Sequence, residues 1–160
     1  MRDFVVRRVN SAQIISNKKW LKEGFNHGFC DRGLNLRYSS ADWIDQFPQC
    51  PIHLLKQSHS TDIVTVTKEP RDGADKPCAD GWLVQMDCLA NDHCFGIRTA
   101  DCIPVIIWVA KKAFGANLHC GWRGTIDGML TRCLDRLFDY GCDSDQIEIC
   151  LGPGAQACCY

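Results

Sequence analysis

The chain has no Cys-x-x-Cys pair and no His-x-His pair anywhere in its 160 residues. The first absence excludes a zinc ribbon or a thioredoxin-type redox motif. The second, with five histidines in all, leaves too few imidazoles for the blue-copper and trinuclear centres of a copper oxidase. The His-x-Glu and Pro-Cys-x-x-Cys signatures of zinc nucleobase deaminases are missing too. No basic cluster stands out, and a net charge of −1 argues against electrostatic binding to nucleic acid. No apolar run approaches membrane-spanning length: the longest, Ile103 to Ala110, is strand-sized and contains Pro104. The amino-terminal "MRDFVVRRVNSAQ" lacks the apolar stretch and cleavage site of a secretory signal, which points to a cytoplasmic protein. Internal repeats, low-complexity tracts and linkers are also lacking.

Cysteine, by contrast, is abundant, with twelve in the chain. Disulfide scaffolds of that density are short, secreted and poor in core residues. This chain is 46% hydrophobic and 23% charged, the balance of a globular domain with a continuous apolar core. Most of the cysteines are therefore expected to act as small buried apolar residues.

"EGFNHGFCDRGLNL" reads as loop with short strands, and "KEPRDGADKPCADG" as loop. "DIVTVTK" alternates apolar and polar residues as a half-buried strand does; "GWLVQ", "CFGIRT", "CIPVIIWV" and "FGANLH" follow as further strands. A helix is expected from about Thr125 to Tyr140. Ile126, Met129, Leu130, Cys133, Leu134, Leu137 and Phe138 form one stripe, with Asp127, Arg132, Asp135 and Asp139 opposite and Gly141 as the stop. "QIEICLGPG" returns as a strand. Strands early and a strong helix late give an α+β or mixed α/β class.

The chemistry concentrates in "GANLHCGWRG". Gly121 and Gly124 flank Trp122 and Arg123 between a strand and a helix start. That arrangement serves as an anion cradle, the glycines admitting a ligand and Arg123 supplying a fork for phosphate. It equally describes an ordinary turn with an exposed arginine. His119 closes its strand, Cys102 opens another, and His59 precedes a third within "KQSHSTD". Three strand-end residues can meet at one sheet edge, and two imidazoles with a thiolate make a three-ligand zinc set with a vacant fourth position. Singly, each histidine also reads as a hydrogen-bonded structural residue, the cysteine as core filler and Trp122 as a core tryptophan.

"KQSHSTD", "RTADCIPVI", "HCGWRG" and "LGPGAQACCY" occur in the order and approximate spacing of one family, and "HGF…R…NL" from His27 and "ADGWLVQ" extend the match. The chain resembles the YfiH family, also called the multicopper polyphenol oxidase or laccase-domain family and the peptidoglycan editing factor or purine nucleoside phosphorylase family. The resemblance implies a single α+β domain over 1–160, with mixed β-sheets flanked by helices. It implies a zinc ion, rather than copper, on His59, Cys102 and His119. The implied activities are phosphorolysis of adenosine, inosine, guanosine and methylthioadenosine, and deamination of adenosine at the same site. The partners would then be a purine nucleoside and phosphate. Arg123 with Gly121 and Gly124 would hold phosphate, Trp122 would stack on the purine, and Asp101 beside Cys102 would support a ligand or carry a proton, a structural salt bridge being its equal alternative.

The family pattern continues beyond the tyrosine through an acidic residue, whereas this sequence ends at Tyr160. A truncated or minimal variant is the expectation. Other readings stand beside the phosphorylase: a thiol hydrolase with Cys102 as nucleophile and His119 as base, a zinc amidase acting on a peptidoglycan precursor, the polyphenol oxidase of the older family name, and an inactive binding partner.

Overall fold

Apolar strands in the last two thirds of the chain build one five-stranded sheet with a helix across one face. The computed structural model describes residues 3–9, 12–31, 50–70, 76–156 and 158. These divide into two compact units, Met1–Cys50 and Pro51–Tyr160.

In the first unit, β1 (Phe4–Val9) pairs antiparallel with β2 (Ala12–Asn17), and β2 pairs with β3 (Phe29–Cys30). Asn17 then caps the short helix α1 (Lys18–Lys22), its side-chain oxygen accepting from the Lys19 and Trp20 amides. Buried Trp20 meets Phe25 and His27 in an aromatic cluster. The "RGLNL" part of the expected amino-terminal match lies outside the described residues.

In the second unit, β4 (Ile52–Leu54) and β7 (Cys94–Gly96) form a small parallel pair. The main sheet contains β5 (Ile63–Val66), β6 (Gly81–Gln85), β8 (Ile103–Val109), β9 (Phe114–Cys120) and β10 (Glu148–Leu151), in the order β10-β8-β9-β6-β5. Among the described residues of this main sheet, only the β5–β6 pair is parallel. Separate strand pairings and helices make the class α+β, as the sequence indicates. The "IPVIIWV" run is apolar without alternation because β8 lies inside the sheet with both faces covered. Val105, Ile107 and Val109 join the core cluster of Met129, Cys133 and Leu137, while Ile106 and Trp108 are buried on the other face. A second cluster gathers Leu55, Val66, Ala79, Trp82 and Val84.

The expected helix from Thr125 to Tyr140 is in fact two: α2 (Trp122–Ile126) and α3 (Met129–Asp139). Gly128 between them takes φ +84°, a left-handed turn that interrupts the stripe. Ile126, ahead of the break, is exposed, and so is Phe138 near the end of α3. The cysteine expectation also needs correction. Cys120, Cys133, Cys142 and Cys150 are buried, but Cys30, Cys78, Cys88 and Cys158 are exposed. Burial pushes the Cys120 thiol up to about 11 and that of Cys133 to about 12.

Beside the small parallel pair, Nε2 of His93 donates to Oε1 of Glu69 at 2.7 Å. The remaining ring nitrogen of His93 then accepts from Nε2 of His53 at 2.9 Å. The Asn91 side chain and the Ala90 amide also donate to Glu69. Among the described residues no helix is long and apolar enough to cross a membrane.

Candidate metal centre

Strand register assembles the site. In β9, Phe114, Ala116, Leu118 and Cys120 point into the helix-side core, so period-two alternation turns His119 to the opposite face. β8 pairs Ile103 with Cys120 and Pro104 with His119, which leaves Cys102 just beyond the ladder at the same sheet end. β6 pairs Gly81 with Leu118, bringing Asp80 alongside His119, whose amide donates to the Asp80 carbonyl at 2.8 Å. The loop entering β5 carries His59 to the same place. Each of His59, Cys102 and His119 offers one ligand atom, and these atoms all lie within 4.8 Å of one another. His59 is exposed, Cys102 half-buried and His119 buried. The two imidazole rings meet edge-on at 4.8 Å.

Behind this trio sits Asp80, fully buried. Nδ1 of His119 lies 2.7 Å from its Oδ1. An ionised carboxylate only accepts, so the His119 proton resides on Nδ1 and Nε2 keeps its lone pair. Asp80 also accepts from the amides of Ser58, His59 and Ser60, at 3.1, 3.0 and 2.7 Å, and from the Ser60 hydroxyl at 3.0 Å. Burial alone would raise this carboxyl. The donors of His119, Ser58 and Ser60 overcome that and hold it down at about 2. Burial, followed by the carboxylates of Asp101 and Asp80, pushes the Cys102 thiol up. Two imidazoles and a sulfur, one imidazole backed by a carboxylate, fit Zn²⁺ with one coordination position left open.

The glycines beside the site are closely approached by it. A β-carbon on Gly121 would lie 2.9 Å from Cδ2 of His59 and 3.1 Å from Sγ of Cys102. One on Gly124 would lie 3.1 Å from the Ser60 carbonyl oxygen. Trp122 and Arg123 follow in α2, both exposed. Trp122 is therefore no core residue; the Arg123 guanidinium covers its ring at 5.1 Å from the centroid. Asp101 is exposed next to Cys102, and its carbonyl accepts from Ala155 at 2.8 Å. Sequence reasoning assigned a supporting carboxylate to Asp101 and passed over Asp80, which lies within the quoted "ADGWLVQ". Its only signal was position: it immediately precedes a strand whose antiparallel partner ends at a candidate ligand.

The family model described as multi-copper polyphenol oxidoreductase laccase matches residues 34–160. A purine nucleoside phosphorylase of Aquifex aeolicus is 42% identical over 109 residues, covering 68% of this chain and 48% of the relative. An adenosine deaminase from an unknown prokaryotic organism is 29% identical over 108 residues, 66% of this chain and 41% of its own length. The chain spans about half the length of the curated relatives it matches. The crystal structure of a Bacillus licheniformis hypothetical protein, YfiH, superposes with a TM-score of 0.72 at 19% identity, over 100% of this chain and 68% of the other.

Proposed function

Because this chain belongs to the multi-copper polyphenol oxidoreductase laccase family, we propose that it is a zinc-dependent purine nucleoside phosphorylase that also deaminates adenosine. Its substrates are adenosine, inosine, guanosine and methylthioadenosine with phosphate. The observation that carries the reading is the meeting of His59, Cys102 and His119 within 4.8 Å, with Nδ1 of His119 already occupied by Asp80. The names of the relatives support the substrate class. When bound, zinc supplies Lewis-acid chemistry at the open position. His59, Cys102 and His119 hold it, and the dry side of the site is closed by buried His119 and Asp80.

In phosphorolysis a phosphate oxygen bonds to the ribose anomeric carbon as the bond to the purine nitrogen breaks. The electron pair leaves with the purine, which takes up a proton. Arg123 positions the phosphate through its two-pronged guanidinium. Trp122 offers an exposed face for the purine to stack on. Asp101, exposed at the Cys102 side, is the residue assigned to the proton. Deamination needs water in place of phosphate and so has no use for Arg123.

Elemental analysis of the purified protein, followed by incubation with adenosine and phosphate and chromatography, tests the reading. About one zinc per chain is expected, as the three-ligand set requires, with phosphate-dependent adenine and phosphate-independent inosine. Cys102→Ala should lose the metal and both products while remaining folded. Metal-free protein without either product, or tight zinc retained in Cys102→Ala, overturns it; copper instead of zinc overturns the metal assignment. The thiol-hydrolase alternative draws on Cys102 lying within 4.8 Å of His119 and on the hydrogen bond from His119 to Asp80, but leaves His59 without a role. Iodoacetamide inactivation that zinc fails to prevent would favour it.

A further inference from the structure

We infer that Asp80 is the positioning residue of this centre, one carboxylate that sets both histidine ligands at once: His119 through its tautomer and His59 through its backbone. The inference rests on the metal reading above and concerns how the ligands are presented.

Five donors converge on two oxygens. Oδ1 accepts Nδ1–H of His119 at 2.7 Å and the His59 amide at 3.0 Å. Oδ2 accepts the Ser58 amide, the Ser60 amide and the Ser60 hydroxyl at 3.1, 2.7 and 3.0 Å. A carboxylate offers about four lone-pair sites, so the five donors fill them and two of the three on Oδ2 share one. His59 stands at φ +62°, left-handed backbone that a non-glycine residue seldom adopts. Three successive amides point at one anion there, a concave nest of N–H groups. The carboxylate thus holds the strained residue from which one ligand ring projects. On its other side it keeps a proton on Nδ1 of His119, so Nε2 is free to coordinate. Among the described residues no other acidic side chain hydrogen-bonds or ion-pairs with either ligand histidine.

An amide at this position cannot do both. The side chain of Asp80→Asn has one accepting oxygen and one NH₂. If the NH₂ faces His119, Nδ1 must accept and the proton moves to Nε2, the ligand atom. If it faces Ser58 and Ser60, it meets N–H and O–H groups that need an acceptor. The first arrangement turns the wrong nitrogen of His119 toward the metal; the second keeps the oxygen on His119 and the His59 amide but loosens the Ser58 and Ser60 amides on either side of His59.

Two measurements test this on the whole chain. Chelator competition for zinc should show Asp80→Asn binding about 10–100-fold more weakly than wild type, the usual effect of removing a ligand's supporting carboxylate. Ser60→Ala, which removes one of the five donors and leaves the His119 contact, should stay within about threefold. Imidazole ¹⁵N NMR of metal-free protein should show His119 protonated at Nδ1 in wild type and shifted toward Nε2–H in Asp80→Asn. An Nε2–H tautomer in the wild type overturns the inference whether or not the variant folds, as does unchanged zinc affinity in a folded Asp80→Asn. Wild-type protein that binds no zinc overturns the metal reading instead, and the NMR result on the same sample still decides what Asp80 does to His119.

Discussion

Gly121 stands so close to His59 that a β-carbon on it would lie 2.9 Å from the ring's Cδ2, and 3.1 Å from Sγ of Cys102. Its backbone, at φ −69° and ψ 165°, suits any residue, so alanine here would push on the two ligands rather than strain the chain. His59 is exposed and its ring has room to swing outward, away from the other two donors. Gly121→Ala should fold normally, with stability lower by no more than about 1 kcal/mol, the mild end of overpacking costs. Zinc should bind about tenfold more weakly, as when a ligand's support is disturbed. Chelator competition alongside a thermal melt checks both halves. Unchanged affinity would mean the two ligands do not converge on that glycine.

Gly128 separates backbone strain from packing. Its φ is +84°, and a β-carbon there would meet Thr131 at an ordinary 3.8 Å. Gly128→Ala should therefore lose about 1–2 kcal/mol from the left-handed backbone alone, read as a lower urea midpoint with zinc content unchanged. A neutral or stabilising effect would support the unbroken helix that the apolar stripe suggests.

That stripe shows where sequence reading succeeds and fails. The strands of the main sheet are legible because their apolar runs end at glycine, proline or aspartate. The trio His59, Cys102 and His119 is legible through the family resemblance of "KQSHSTD", "RTADCIPVI" and "HCGWRG"; position near strand ends alone leaves each of the three open to a structural reading. The break at Gly128 is invisible to periodicity, since Met129, Cys133 and Leu137 keep helical spacing on their own. Cysteine burial depends on strand parity: Cys120 falls on the core side of β9, whereas Cys88 lies in a solvent-facing turn. Asp80 is the deepest omission. Its partners lie some 20 and 39 residues away, and three of its five donors are backbone amides, which carry no sequence signal.

Glu69 gives a pH prediction away from the site. Hydrogen bonds from His93, then Asn91 and the Ala90 amide, hold its carboxyl at about 2 against an ordinary 4.5. A depressed carboxyl contributes stability that is fully present above its unfolded value and is lost as pH falls through the folded one. The window is therefore from about 4.5 down to about 2. Unfolding midpoints across that range should fall less steeply for Glu69→Gln than for wild type, with the two curves converging at the acid end. Parallel curves would mean that His93 does not hold this carboxylate in solution.

Arg123 separates the two proposed reactions. Its guanidinium is exposed and covers the Trp122 ring at 5.1 Å, within reach of solvent phosphate. A charge-assisted hydrogen bond contributes about 1.5–3 kcal/mol, or roughly 10- to 150-fold in rate. Arg123→Ala should therefore lower kcat/KM for phosphorolysis by about that factor. Deamination, whose nucleophile carries no negative phosphate, should change by less than about threefold. Arg123→Lys keeps the charge but loses the paired donors, so it should recover part of the phosphorolysis with a raised KM for phosphate. Assays of adenine and inosine release from the same adenosine mixture measure both rates at once. An equal fall in the two would assign Arg123 to nucleoside binding through Trp122, and the phosphate would then need another partner.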